Sequence, residues 1–322
     1  MEEKLTPVSK RKPQIGILVR SITVFCAGVI AFAALRAQLK AAETAKAEST
    51  KNKLQQTETM QRSALAANSA SPELHGALGQ TLLREGKYEE AVHELGLAAQ
   101  QIPDSAEYNL GLAEALIGWD HFGVAEQFLN AVKSRFDGYG RFHYDLGLAQ
   151  YSLNQSRDAE GEFREALRID PKQDRAKLLL AGSMARNGDL SSAAESLQVL
   201  AKAHPNEAPY WIAWADVLAQ MDASHYRDAL RASRHALALK PGDPGIQFKT
   251  AVILLKLQDY AAARPLLEHV VKVVPNDSQA HIALASTYSH LGDQASAHRE
   301  SQIVARLAKQ EPQHPSPTPD QP

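Results

Sequence analysis

Hydrophobic and polar positions divide this chain into segments of different character. Residues 1–20 are polar and basic, with Lys10, Arg11, Lys12 and Arg20, and residues 21–35, SITVFCAGVIAFAAL, carry no charge. Residues 36–70 are polar and rich in Ala, Lys, Glu, Thr and Gln. From 71 to 311 the pattern becomes regular, and residues 312–322 hold five prolines. That tail is too rich in proline to pack and is expected to be disordered. Within the regular region, the stretch SPELHGALGQTLLREGKYEEAVHELGLAAQQIPD reads as a helix, a short turn at Gly86 and a second helix. Ser71 suits an N-cap with Pro72 in the first helical turn. Gly86 can take the left-handed conformation that ends a helix, and Pro103 cannot continue the second one.

The same pattern returns down the chain. Ala91 is followed by Ala125, Ala159, Ala193, Ala229, Ala263 and Ala297, with gaps of 34, 34, 34, 36, 34 and 34 residues. A second series of small residues runs ahead of it: Gly79, Ala113, Gly147, Ala181, Ala215, Ala251 and Ala285. Just before these stand Leu78, Leu112, Leu146, Leu180, Trp214, Thr250 and Leu284, and Pro103, Pro171, Pro205, Pro241 and Pro275 close most repeats, with Asp137 in the exception. Such register marks an internal repeat that governs the fold. The small residues are expected where two antiparallel helices approach closely, so that a larger side chain costs about 1–3 kcal/mol of overpacking. Glu89 and Glu90, beside the first of these alanines, read as a solvated helix face.

These residues resemble the tetratricopeptide repeat, whose 34-residue signature combines a large residue, Leu-Gly/Ala, an aromatic, then Ala, Phe/Leu, Ala and Pro. Seven repeats are counted: 72–105, 106–139, 140–173, 174–207, 208–243, 244–277 and 278–311. The resemblance implies an all-α fold, an α-α superhelical solenoid of helix-turn-helix repeats. Two departures stand out. The fifth repeat carries two extra residues within MDASHYRD, read as a surface loop, and Ser233 replaces the usual bulky residue of its second helix. The seventh has Ser301 at the equivalent position and is expected to cap the stack with a polar outer face.

The resemblance further implies a binding groove lined by the first helix of each repeat, at positions 2, 5, 9 and 12. Leu110, Arg141, Tyr144, Leu148, Tyr151, Arg175, Leu178, Ile212, Phe248, Val252 and Leu255 fall at such positions, with Gly76 and Ile282 at the two ends. An apolar and aromatic middle with arginines beside it suits an apolar or amphipathic segment of a partner protein, with Tyr and Arg as anchors. The alternative is that position 5 only packs between adjacent repeats. The lysine and asparagine carboxylate clamp of chaperone-binding relatives is missing, since its sites here include Gly76, Gln80, Gly111, Arg141 and Asp145. A polysaccharide-binding groove built on Tyr144 and Tyr151 is a second class of reading.

The uncharged run 21–35 fits a signal-peptide core, with AFA at 31–33 as a small-x-small cleavage site. Starting instead at Ile15 it is long enough to anchor the chain in a bilayer. Either way the basic flank is expected to stay cytoplasmic and the rest to be exported, which is periplasmic in a Gram-negative bacterium. The competing reading is a buried helix of a cytosolic adaptor. Phe25 before Cys26 argues against a lipid anchor. Residues 36–70 hold no glycine or proline and read as a helical stalk or a linker, with sparse apolar positions Leu39, Leu54, Met60 and Leu65.

Composition narrows the remaining classes. A net charge of −2 gives no electrostatic case for nucleic acid. The one cysteine excludes an intramolecular disulfide and multi-cysteine metal sites, including an added rubredoxin-like module. His93-Glu94-Leu95 begins like a zinc-protease helix, but residue 97, where the second histidine belongs, is Leu97. GQTLLREGK spaces its glycines wrongly for a phosphate loop, and the repeats occupy the whole regular region. The expectation is a non-enzymatic scaffold without cofactor or metal, contacting one or more proteins and reaching a membrane through its N-terminal segment.

Overall fold

The computed structural model describes residues 44–310, and every regular element among them is a helix. The basic leader, the uncharged run, the start of the polar segment and the proline tail lie outside the described residues, as do Cys26 and Leu39. The described residues form two units, the first ending at Pro103 and the second starting at Asp104. In the first unit, residues 44–67 form α1, followed by α2 (Pro72–Glu85) and α3 (Tyr88–Gln101). The second unit holds six helix pairs: α4 (Ala106–Gly118) with α5 (Phe122–Phe136), α6 (Gly140–Ser152) with α7 (Ser156–Ile169), α8 (Asp174–Arg186) with α9 (Leu190–Ala203), α10 (Ala208–Gln220) with α11 (Tyr226–Leu239), α12 (Pro244–Lys256) with α13 (Tyr260–Val273), and α14 (Ser278–His290) with α15 (Gln294–Gln310).

Local chemistry sets the helix ends. The Ser71 hydroxyl accepts from the Leu74 amide at 3.3 Å, and Asp243, Asp259 and Asp277 cap α12, α13 and α14 in the same way. Gly86 ends α2 at φ 74°, and Asp120, Asn154 and Gln258 take the same left-handed conformation at φ 58°, 61° and 60°. The fifth repeat lacks this turn. The insertion is taken up by a 3-10 turn over Ala223–His225, in which the Ser224 amide donates to Asp222 Oδ1 at 2.9 Å.

The small residues sit where the helices touch. Ala91, Ala113, Ala125, Ala159, Ala181, Ala193, Ala215, Ala229, Ala251 and Ala263 are fully buried. A Cβ on Gly79 would lie 2.6 Å from Leu95 Cγ, and one on Gly147 would lie 2.9 Å from Phe163 Cε1. Both partners stand sixteen residues on, so a small residue on the first helix receives a bulky one from the second. Ser301 holds the partner position in the last repeat, and Ala285 there is only half-buried. Ser233 in the fifth repeat is buried, with its hydroxyl donating to Leu230 O at 3.1 Å, while Trp214 enters the neighbouring apolar cluster where most repeats carry Leu.

Successive first helices of the second unit (α4, α6, α8, α10, α12 and α14) pack on one another, while each second helix bridges its own first helix and the next one. One face of this unit is therefore built from first helices alone. In the first unit, α1 lies against the α2/α3 pair. Leu54, Glu58, Gln61 and Leu65 are half-buried at helical spacing, whereas Met60 is 73% exposed. Lys87 donates to Glu58 at 2.7 Å, and Arg62 pairs with Glu90. The Lys87 hydrogen bond holds the Glu58 carboxyl below its ordinary range.

Candidate functional site

The first-helix face of the second unit gathers most of the expected groove residues, but not all of them offer themselves to a partner. Leu110 is only 4% exposed and packs with Ala113, Leu129, Phe142 and Leu146. It belongs to the core, which corrects its assignment to the groove: its side chain fills the gap between the second and third repeats. Tyr144, Leu148, Tyr151, Leu178, Ile212, Phe248, Val252 and Leu255 are half-buried, and Arg141 and Arg175 are exposed.

Around Arg141 the face is polar and densely paired. Its guanidinium pairs with Glu114 and donates to Leu110 O at 3.3 Å. Asp145 lies one helical turn further along α6, its side chain only 6% exposed. Its Oδ2 is 3.5 Å from Arg141 Nε and has no hydrogen-bond partner; that separation is too long for a hydrogen bond to compensate the buried charge. Burial pushes the Asp145 carboxyl up to about 7, with Arg141 opposing and Glu114 adding to the rise. Burial also raises the neighbouring Tyr144 hydroxyl, opposed by Arg175.

The rings of Tyr144 and Tyr151 pack on Phe163, at centroid distances of 6.2 and 6.5 Å. The Arg186 guanidinium lies 3.6 Å from the Tyr151 ring centre and donates to Tyr151 O at 2.8 Å. The Tyr151 hydroxyl lies close over Gly182, where a Cβ would come within 2.9 Å of it. The Tyr151 ring is thus already engaged, by Arg186 and by Phe163.

Beyond this stack the third to sixth repeats enclose a cavity of about 420 Å³. Its apolar walls are Leu178, Leu179, Gly182, Ala185, Leu197, Ala213 and Val217, and its polar edge is Tyr151, Arg186, Asp216, Gln220 and Lys249. Lys249 donates to Asp216 at 2.9 Å, so the edge is charged but paired. Of the residues expected from sequence, only Tyr151 and Leu178 line this cavity; Ile212, Phe248, Val252 and Leu255 do not. Arg186, Gly182 and Lys249 were not foreseen. The available signal was a long cation thirty-five residues after a tyrosine, with a glycine beneath the ring. Chemically the cavity suits one apolar side chain flanked by hydrogen-bonding groups.

Three histidines do unforeseen structural work. His75, His143 and His281 occupy one repeat position, each with Nδ1 2.6 Å from a carboxylate nineteen residues on: Glu94, Glu162 and Glu300. Their Nε2 atoms face the carbonyls of Ser69, Asp137 and Pro275, six residues back, at 3.0, 2.7 and 3.1 Å. Trp211 and Gln247 make the same reach to Pro205 O and Pro241 O at 3.0 and 2.7 Å.

Known proteins bear on this arrangement. Two models described as tetratricopeptide repeat match the chain, one at residues 58–107, 77–118 and 144–208 and the other at 220–287. Together they span more than half of it. A BBSome complex member, BBS4 of Bos taurus, is 26% identical over 167 residues, covering 52% of this chain and 32% of that protein. The chain thus spans about a third of this relative. Among solved structures, the APC/C hetero-tetramer Cut9-Hcn1 superposes with TM-score 0.62 at 15% identity, covering 80% of this chain and 50% of that one. Yeast Tom70 gives 0.54 at 17% identity, covering 80% and 55%. Pseudomonas aeruginosa pilF gives 0.53 at 16%, covering 63% and 91%. At such identities these structures speak to the fold alone. Spacing, helix pairing and both matches agree, and the chain belongs to the tetratricopeptide repeat family.

Proposed function

We propose that this chain is a non-catalytic scaffold that holds an apolar or amphipathic segment of a partner protein on the first-helix face of its third to sixth repeats. The observation that carries this reading is the cavity of about 420 Å³, apolar within and edged by Arg186, Asp216 and Lys249. A leucine or phenylalanine anchor fits within such a space, and its flanking backbone reaches the polar edge. The test is site-specific photo-crosslinking in cells. A photoreactive residue replacing Ala213, which lines the cavity, is expected to trap a partner that one replacing exposed Glu195 does not. Ala213→Trp, which fills the space, is expected to abolish capture of that partner with helicity unchanged. Equal capture from both positions, or capture that survives Ala213→Trp, overturns the groove.

The same proposal includes tethering through residues 21–35 and placement of the repeats outside the cytoplasm. No helix among the described residues is long and apolar enough to cross a membrane, so the uncharged run is what supports this part. Five cations precede it (Lys4, Lys10, Arg11, Lys12, Arg20) and five follow within twenty residues (Arg36, Lys40, Lys46, Lys51, Lys53). This even count does not reinforce the expectation that the basic leader stays cytoplasmic, so the proposed orientation rests on reading the run as an export signal or anchor. Reporter fusions after residue 310 settle it: phosphatase activity supports export, and cytoplasmic fluorescence with a soluble chain overturns it.

A further inference from the structure

The first unit carries a cavity of its own, lined by none of the residues of the proposed groove. It holds about 590 Å³ between the first half of α1 and the turn joining α2 to α3, and its lining includes Lys46, Lys51, Leu54, Arg84, Glu85 and Lys87. Four of these six are cationic. Lys87 is already engaged, 2.7 Å from Glu58 and 2.8 Å from Glu85. Glu85, the one carboxylate in the lining, shares that ammonium with Glu58. Lys46, Lys51 and Arg84 have no ion-pair partner among the described residues. Three uncompensated cations around one space repel each other, and an anion placed among them relieves that repulsion. The floor is apolar, with Leu54 and Ala47, so a phosphate joined to hydrocarbon matches both halves.

We infer that this cavity receives the headgroup of an anionic phospholipid, its phosphate between Lys46, Lys51 and Arg84 and its upper acyl carbons over Leu54. Position in the chain favours a lipid over a soluble acid. Lys46 comes eleven residues after Leu35, the end of the uncharged run, and Arg36 and Lys40 in between outnumber Glu43. Cations within a Debye length of an anionic leaflet are attracted to it. The choice of a lipid rests on the tether proposed above; the binding test does not.

The test uses the full chain in a neutral detergent, titrated with dihexanoyl-phosphatidylglycerol, dihexanoyl-phosphatidylcholine, inorganic phosphate or a glutamate decapeptide. Hydrogen exchange over residues 44–58 and 84–88 is the readout. Phosphatidylglycerol is expected to protect both stretches, more weakly as salt is raised, and phosphatidylcholine is not. Lys51→Glu with Arg84→Glu is expected to weaken the effect by roughly 10–30-fold, from about fivefold per cation. If that pair perturbs the fold by circular dichroism, Lys51→Gln with Arg84→Gln carries the comparison. Equal protection by the two lipids, or no loss in the variants, overturns the site. Protection by phosphate or by the decapeptide as strong as by phosphatidylglycerol overturns the lipid assignment, in favour of a free anion or an acidic protein. Ala213→Trp is expected to bind the lipid normally, so failure here and failure of the groove are distinguishable.

Discussion

Phe163 receives the missing Cβ of Gly147 and is itself held between the rings of Tyr144 and Tyr151. It has little room to yield, so Gly147→Ala is expected to destabilise the chain by about 1–3 kcal/mol in urea unfolding. Gly161 offers the opposite case: it is exposed within α7, and nothing lies within 4 Å of an added Cβ. Gly161→Ala is expected to stabilise by up to ~1 kcal/mol, because alanine is the better helix former. If both substitutions move stability the same way, the packing argument for the small residues is wrong. Asp145 makes a pH prediction. Its carboxyl is raised from 3.8 to about 7 chiefly by burial, so the native state keeps a proton that the unfolded chain releases in that window. Stability from this group therefore falls as pH rises from about 4 to 7. Asp145→Asn is expected to be more stable than the wild type at about pH 8, by roughly 1–4 kcal/mol, with the gap closing near pH 4. Urea midpoints across that range check it.

Among the helices, α13 contains a proline, Pro265, six residues from its start. Its ring removes one helical N–H bond on an exposed face, so Pro265→Ala is expected to raise stability by about 1–3 kcal/mol. A lower melting temperature would mean that the proline fixes a bend the neighbouring helices need. The helix pairs were readable because their contacts demand small residues, and alanine or glycine at fixed spacing is visible to the eye. The docking of α1 was not. Leu54, Met60 and Leu65 do not share one helical face, whereas the buried stripe uses Leu54 and Leu65 with Glu58 and Gln61 between them. A stripe that is half polar has little hydrophobic signature, and the pairs Glu58–Lys87 and Arg62–Glu90 join residues with no local relation. The groove was half legible for a similar reason. Position in the repeat places a residue on the first-helix face, but burial there depends on its neighbours, so Leu110 went into the core while Gly182 and Arg186 shaped the cavity.

Within the second unit, each helix pair touches only the pairs beside it. Stability in such an array is a sum of local terms and nearest-neighbour interfaces. Gly147→Ala is therefore expected to speed hydrogen exchange in α6 and α7 and, more weakly, in α5 and α8, while α14 and α15 keep their wild-type protection. Uniform acceleration would instead mean that the unit opens as a whole. The reach of five side chains to a carbonyl six residues back has a consequence at this scale too. His75, His143, Trp211, Gln247 and His281 have no chemistry in common except an N–H at the right height. Each fastens its helix to the connector arriving from upstream, where a backbone carbonyl receives it. The fitting between neighbours is thus generic, a plug and a socket that ignore the identity of the parts they join. A chain assembled this way can be lengthened or shortened by copying or deleting whole 34-residue segments, and each new junction is already compatible on the day it forms.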